Sequence, residues 1–340
     1  MGQYQSSESL EHHTNDKLHN LVDNRVNDQV DHQSNDQSDS YFIYKDSANV
    51  GYLESLMNSL IFVPPNPPRE RFNGLTNADR SNGKASDIHP SQAEKRPIPE
   101  WVKFITLPNT NKLSYFVIDP NPVYDSTGKQ VQNRYILWSH GNAGDLTSIY
   151  PVMMQIFREM QGRVGIIAYD YEGYRYSEGV CSEKNCYNDL VCMVKHAVEN
   201  MKIRKENLFL VGQSLGTGVV VDFCVRHGWR TPIILLSPYK SISRVVLDPH
   251  WTDPLTNILV DSIDMFTTHH KTDRLSCPVI IYHGVKDRLI HPRHSVELYN
   301  RHRDKITLVL LKHADHNDIL NHVRPSQILD MIDRVTIKTI

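Results

Sequence analysis

No stretch of this chain approaches the ~20 consecutive apolar residues that a bilayer-crossing helix needs. The N-terminus also lacks the short apolar core of a secretory signal. A surplus of charge is missing as well: the net value is −2 over 340 residues, which gives no reason to expect a nucleic-acid partner. Cysteine is scarce, with five in all and none before Cys181. None of the five forms a C-x-x-C pair, so a zinc site or a dithiol redox motif is not expected. An odd number of thiols set in apolar runs reads as reduced and mostly buried, which suits the cytoplasm. Cys181 and Cys186 are close enough in sequence to bridge under oxidising conditions, a minor expectation.

Residues 1–40 are low in apolar side chains and rich in Asn, Asp, Gln, Ser and His. Lys17 and Arg25 stand against eight acidic residues there, a net −6 that leaves +4 for the remainder. Such a segment cannot bury enough apolar surface to offset its ordering entropy, so it reads as a disordered acidic tail. Residues 41–100 form a lead-in. It contains an amphipathic stretch, Tyr52 to Phe62, and then Val63-Pro64-Pro65-Asn66-Pro67-Pro68, whose prolines dictate an extended path.

From residue 101 to 340 the pattern becomes strands alternating with helices. Strands are expected at Trp101–Leu107, Lys112–Ile118, Arg134–Ser139, Val164–Asp170, Asn207–Gln213, Pro232–Ser237, Pro278–His283 and Ile306–His313. The first two are joined by a hairpin-length turn, Pro108-Asn109-Thr110-Asn111. The later ones are near-continuous apolar runs, as parallel strands buried on both faces must be. An eight-stranded, mostly parallel sheet flanked by helices is the α/β-hydrolase plan, and the α/β class is the fold expected.

The chemistry concentrates at Gly212-Gln213-Ser214-Leu215-Gly216. This is a G-x-S-x-G sequence that follows an apolar strand and precedes helix-forming residues, the context a nucleophile elbow requires. Side chains in place of the glycines would collide with the adjoining strand and helix. A serine hydroxyl needs a base to take its proton, and the base needs a carboxylate to orient it. Downstream, Asp287 lies just beyond the strand ending at His283-Gly284, and His316 lies in the loop after the last strand. That is the chain order Ser, Asp, His of this fold. Asp264 and Asp273 fall in helical or linker stretches, and His313 is the local rival among 18 histidines.

The oxyanion of an acyl-transfer intermediate needs backbone donors. Leu215 N–H is one, and the second comes from the His140-Gly141-Asn142-Ala143-Gly144 loop, through Asn142 or Ala143. Tyr169-Asp170-Tyr171-Glu172-Gly173-Tyr174 is expected to wall this loop, with Asp170 a structural hydrogen-bonding residue. Trp251, Leu255, Ile258, Leu259, Val260, Ile263, Met265 and Phe266, between Pro238 and Pro278, supply apolar surface for a modest cap.

Taken together, His-Gly-Asn-Ala, Tyr-Asp-Tyr-x-Gly-Tyr, Gly-Gln-Ser-x-Gly-Thr, His-Gly-x-x-Asp and His-Asn-Asp-Ile resemble the α/β-hydrolase-domain-17 group of protein depalmitoylases and the related domain-13 hydrolases. The resemblance covers about residues 101–328, and Phe62-Val63-Pro64-Pro65 is similar to that group's N-terminal motif. It implies Ser214 as nucleophile, Asp287 as orienting acid, His316 as base, and a long-chain acyl thioester on protein cysteine as substrate. The chain departs from the group in having Arg175 where Gly is usual and in lacking its N-terminal cysteine cluster. Besides a thioesterase, the residues admit a short-chain carboxylesterase or lipase, or a non-catalytic interaction protein on the same fold. The partners expected are an acylated protein or a small acyl ester.

Met1-Gly2-Gln3-Tyr4-Gln5-Ser6 fits the N-myristoylation pattern at Gly2. A single myristoyl chain holds a membrane only weakly and reversibly, and the acidic tail adds no attraction to anionic lipid. The expectation is transient peripheral association. Co-expression with an N-myristoyltransferase should move part of the protein to the membrane fraction, and Gly2→Ala should abolish the shift.

Overall fold

The computed structural model describes residues 41, 43, 44, 58, 61, 62, 64, 98–124, 126–130, 132–246 and 264–337. The acidic tail, Gly2, the prolines other than Pro64 in the 63–68 run, and the cap residues Trp251 to Ile263 lie outside them.

Eight strands form one sheet in the order β1-β2-β4-β3-β5-β6-β7-β8. They are β1 (Lys103–Thr106), β2 (Lys112–Ile118), β3 (Tyr135–Ser139), β4 (Gly165–Tyr169), β5 (Leu208–Gln213), β6 (Ile233–Leu236), β7 (Val279–Gly284) and β8 (Ile306–Leu311). Pairing is antiparallel for β1–β2 and β2–β4 and parallel throughout the rest. Every strand expected from the sequence is present. The ends differ by a residue or two where a flanking residue leaves the ladder. Trp101, for instance, stacks on Tyr150 with ring centroids 4.2 Å apart instead of pairing in β1.

The central strands are apolar because both faces are covered. Each residue of β3, β4 and β6 is buried, as are five of the six in β5. The principal helices are α1 (Leu146–Glu159), α2 (Glu183–Lys195), α3 (Leu215–Arg226), α4 (Arg293–Arg301) and α5 (Pro325–Ile337). Helix α1 starts at a reciprocal cap, with Asp145 accepting from the Ser148 backbone N–H while Ser148 bonds back to the Asp145 backbone. Its buried stripe of Leu146, Ile149, Met153 and Ile156 repeats at helical spacing and packs on the sheet. Helix α3 is buried nearly all round, at residues 215–224, so it lies in the core and not on it.

The five cysteines are free thiols, and the sulfurs of Cys181 and Cys186 are 3.5 Å apart. Among the described residues no helix is long and apolar enough to cross a membrane.

The loop after β4 is tied to the β1–β2 hairpin. Glu172 accepts from the side-chain amides of Asn109 at 3.1 Å and Asn111 at 2.5 Å, while Glu178 accepts from Lys112 N–H at 2.8 Å. Ser177 Oγ accepts from Ser114 N–H at 2.9 Å and donates to the Asp170 carbonyl at 3.0 Å.

The elbow depends on close approach between strand and helix. A Cβ on Gly216 would overlap the Ser139 carbonyl, and one on Gly212 would lie 2.5 Å from the Gly216 carbonyl. Both obstacles are buried backbone, of strand β3 in the first case and of helix α3 in the second, and neither can withdraw. Gly216→Ala should therefore cost upwards of ~3 kcal/mol, measured by urea unfolding. A variant of wild-type stability would show that β3 and α3 are not in contact there.

Candidate active site

The parallel strands all point their carboxyl ends at one rim, and the loops leaving β3, β5, β7 and β8 converge there. Ser214 follows β5 with φ 49° and ψ −116°, a region that a residue with a side chain seldom occupies. The strain is held by surroundings. Ser214 N–H donates to the Leu236 carbonyl at 2.9 Å, extending the β5–β6 ladder by one step, and α3 begins at the next residue. The outcome is a hydroxyl lifted above the sheet.

His316 lies in the turn after β8. Its Nε2 is 3.0 Å from Ser214 Oγ and its Nδ1 is 2.8 Å from Asp287 Oδ2. A carboxylate can only accept, so Nδ1 carries the proton and the Nε2 lone pair faces the hydroxyl. Asp287 is 2 % exposed and follows β7. Its Oδ1 accepts from the N–H groups of Leu289 at 3.0 Å and Ile290 at 2.8 Å. Burial pushes its pKa up, but hydrogen bonds from His283 and His316, the His316 charge and the Ile290 N–H together outweigh it, leaving the carboxyl well below its ordinary range. The surroundings thus favour the ionised form of the aspartate.

His283 is a participant that sequence reasoning alone missed. It is fully buried at the end of β7, with Nε2 2.7 Å from the Ile290 carbonyl and 3.3 Å from Asp287 Oδ2, and Nδ1 2.5 Å from Ser295 Oγ. Because the carbonyl only accepts, Nε2 bears the proton and Ser295 donates to Nδ1. The imidazole thus braces the loop 284–290 from within, using Ser295 on α4 as its anchor. Its presence in His-Gly-x-x-Asp was the available signal.

The loop after β3 passes over the serine. A Cβ on Gly141 would come 3.3 Å from Ser214 Cβ, so glycine there lets the backbone lie against that serine. Gly144 N–H donates to the Gly141 carbonyl at 3.0 Å, which leaves Asn142 and Ala143 at the tip of a tight turn. His140 beneath it is buried, 3.3 Å from Asp170 Oδ1, which also accepts from Leu146 N–H at 2.9 Å. Asp170 is a structural hydrogen-bonding residue, as the sequence suggested; burial raises its pKa, with the His140 contacts opposing. Tyr171 OH donates to the His140 carbonyl at 2.8 Å and Tyr174 OH to Asn142 Oδ1 at 2.5 Å, so the tyrosine-rich segment does wall this loop. Arg175 sits at φ 38°, left-handed backbone that favours glycine over a residue with a side chain.

The rival acids are engaged elsewhere. Asp264 accepts from Ser243 N–H at 3.0 Å, and Asp273 pairs with His302 at 3.0 Å. His313 is an exposed turn residue. Among the described residues no cluster of three or more His, Cys, Asp or Glu could hold a metal ion.

Sheet order, strained elbow and convergent loops define an α/β hydrolase. An α/β hydrolase of Acanthamoeba polyphaga mimivirus, L404, is 37% identical over 202 residues, covering 59% of this chain and 73% of that protein. The chain therefore belongs to the α/β-hydrolase family. Within it, alpha/beta hydrolase domain-containing protein 17B of Homo sapiens is 28% identical over 273 residues, covering 78% of this chain and 85% of that protein. No protein-family model matches. Among solved structures, an esterase from Pyrococcus furiosus superposes with a TM-score of 0.53 at 18% identity, covering 68% of this chain and 91% of that one, a likeness of fold.

The Asp287 carboxyl has a folded pKa below its unfolded value near ~3.9, so its stabilisation is present above that value and is lost as pH falls through the folded pKa. Asp287→Asn removes the titration. In urea unfolding the variant's stability should therefore fall less steeply than wild type's below pH ~4. Parallel slopes would refute the depressed pKa.

Proposed function

We propose that this protein is a serine hydrolase that cleaves acyl esters or thioesters through an acyl-enzyme intermediate. The observation that carries the reading is the continuous hydrogen-bonded line from Ser214 Oγ through His316 to Asp287, mounted on a strained elbow. In this reading His316 Nε2 takes the Ser214 proton as Oγ bonds to the acyl carbon. Asp287 holds the imidazole in the required tautomer and stabilises the imidazolium. Negative charge on the former carbonyl oxygen is met by Leu215 N–H at the start of α3 and by an N–H of the Gly141–Gly144 turn, that of Asn142 or Ala143. Collapse expels the alcohol or thiol, which takes its proton from His316. Water, activated by the same histidine, then attacks the acyl carbon and restores Ser214. No step calls on a metal or cofactor.

The substrate we favour is a long-chain acyl thioester on protein cysteine, the chemistry implied by the resemblance to the domain-17 depalmitoylases. The similarity to protein 17B supports that choice. An ester or thioester suits these groups, since an activated acyl carbon needs no help beyond nucleophile, base and oxyanion donors. Any meeting with membrane-borne substrate would draw on the weak, reversible anchor at Gly2.

Labelling of the purified protein by a fluorophosphonate probe tests the mechanism. Wild type should label and Ser214→Ala should not; a folded wild type that stays unlabelled would remove the enzyme reading. Asp287→Asn should lower kcat by ~10³–10⁴-fold, since the wrong histidine tautomer is then favoured. For the substrate, kcat/KM on a palmitoyl-cysteine peptide should exceed that on a short-chain nitrophenyl ester. The reverse order would point to a short-chain carboxylesterase.

A further inference from the structure

We propose that the Asn142 side chain, gripped between the Ile61 carbonyl and the Tyr174 hydroxyl, positions the oxyanion-binding turn, which makes the segment preceding the hydrolase domain a working part of the site. The proposal rests on the serine-hydrolase reading, and specifically on Asn142 N–H, not that of Ala143, as an oxyanion donor.

Backbone closes the turn, with Gly144 N–H donating to the Gly141 carbonyl and His140 Nδ1 2.8 Å from that same oxygen, but side chains of the turn itself offer little more. Gly141 and Gly144 have no side chains, and Ala143 is exposed. Asn142 is its one polar handle, and both ends of that handle are engaged: Nδ2 donates to the Ile61 carbonyl at 2.8 Å and Oδ1 accepts from Tyr174 OH at 2.5 Å. The amide cannot be reversed. Ile61 offers only an acceptor and so requires the NH₂ group, which leaves Oδ1 for the phenol. Two bonds in different directions fix χ1 and χ2, and through them the backbone from which the side chain hangs.

The Ile61 end is itself anchored. Phe62 N–H donates to the Asn58 carbonyl at 3.0 Å, and the Phe62 ring is 2 % exposed, meeting Phe266 edge-on with centroids 6.1 Å apart. Phe266 in turn lies against Gly218, where a Cβ would come 3.0 Å from the ring. Gly218 is in the first turn of α3, the helix whose first N–H is the other donor. One short segment thus reaches both elements that carry oxyanion donors. Position matters greatly here: an oxyanion donor must sit ~2.7–3.1 Å from the charged oxygen, and a displacement of ~1 Å costs ~10²-fold in rate. Asn142 acts in two ways, touching the reacting atoms through its N–H and setting that N–H through its side chain. Tyr174 and Ile61 are positioning residues.

The full-length protein with Tyr174→Phe, Asn142→Ala, the double variant and Phe62→Leu provides the test. For each, kcat and KM on a nitrophenyl ester are measured together with the Ki of a trifluoromethyl ketone, whose adduct with the serine carries the oxyanion. Tyr174→Phe keeps the ring and should fold. It should lower kcat by ~10-fold with KM within ~2-fold, and weaken the ketone in parallel. The double variant should be no worse than Asn142→Ala alone, because both break one clamp. Phe62→Leu should reduce kcat and ketone affinity together. A Tyr174→Phe protein with wild-type kcat and Ki overturns the clamp, as do effects of the two single variants that multiply. A wild type that neither labels nor turns over overturns the parent reading and the clamp with it, so the two failures are told apart.

Discussion

The structure turns on the backbone of one residue. Ser214 is held at a positive φ that its own preferences oppose, and the cost is met by the sheet and α3 closing around it. Gly212 and Gly216 let strand and helix touch, the Leu236 carbonyl takes the serine N–H, and the first turn of α3 presents its unpaired N–H where the strand has just ended. The core is correspondingly apolar on both sheet faces, and that burial keeps an unfavourable turn from relaxing. Site and stability are therefore one problem at this point. The residues nearest the reacting atoms are also those with the least room to change.

Around that turn the polar groups are arranged in rows that each end on rigid structure. His316 is aimed by Asp287, Asp287 by two backbone N–H groups and His283, and His283 by Ser295 on α4. The second row runs from the Gly141–Gly144 turn through Asn142 to Tyr174 and Ile61. Neither row ends on a flexible side chain in solvent. This is what preorganisation requires, since a donor that must reorganise as charge develops loses its advantage over water.

Much of this was legible in the sequence, for identifiable reasons. Parallel strands buried on both faces have to be apolar throughout, so β3 to β7 announce themselves and their carboxyl ends can be counted off. Once those ends are fixed, Asp287 and His316 fall into loops that must converge on Ser214. What stayed hidden depends on contacts between segments far apart in the chain. His283 reads as one more strand residue until Ser295 and Ile290 are seen around it. Phe62 stands out as part of a motif, but nothing in a linear reading says that the neighbouring carbonyl meets a side chain 81 residues on. The start of β1 was hidden too, because Trp101 leaves the ladder to stack on Tyr150, a choice made by tertiary packing and not by propensity.

The tip of a β-hairpin is ordinarily where a chain tolerates extra residues, being exposed and remote from the core. The β1–β2 tip is different. Asn109 and Asn111 are both bound to Glu172, on the loop that also carries Tyr171 and Tyr174. An outermost edge of the sheet is thereby fastened to the segment that walls the rim carrying Ser214. A loop that looks free for a tag or a grafted peptide is mechanically continuous with the wall of the Ser214 site, and lengthening it would pull on Tyr174 through Glu172.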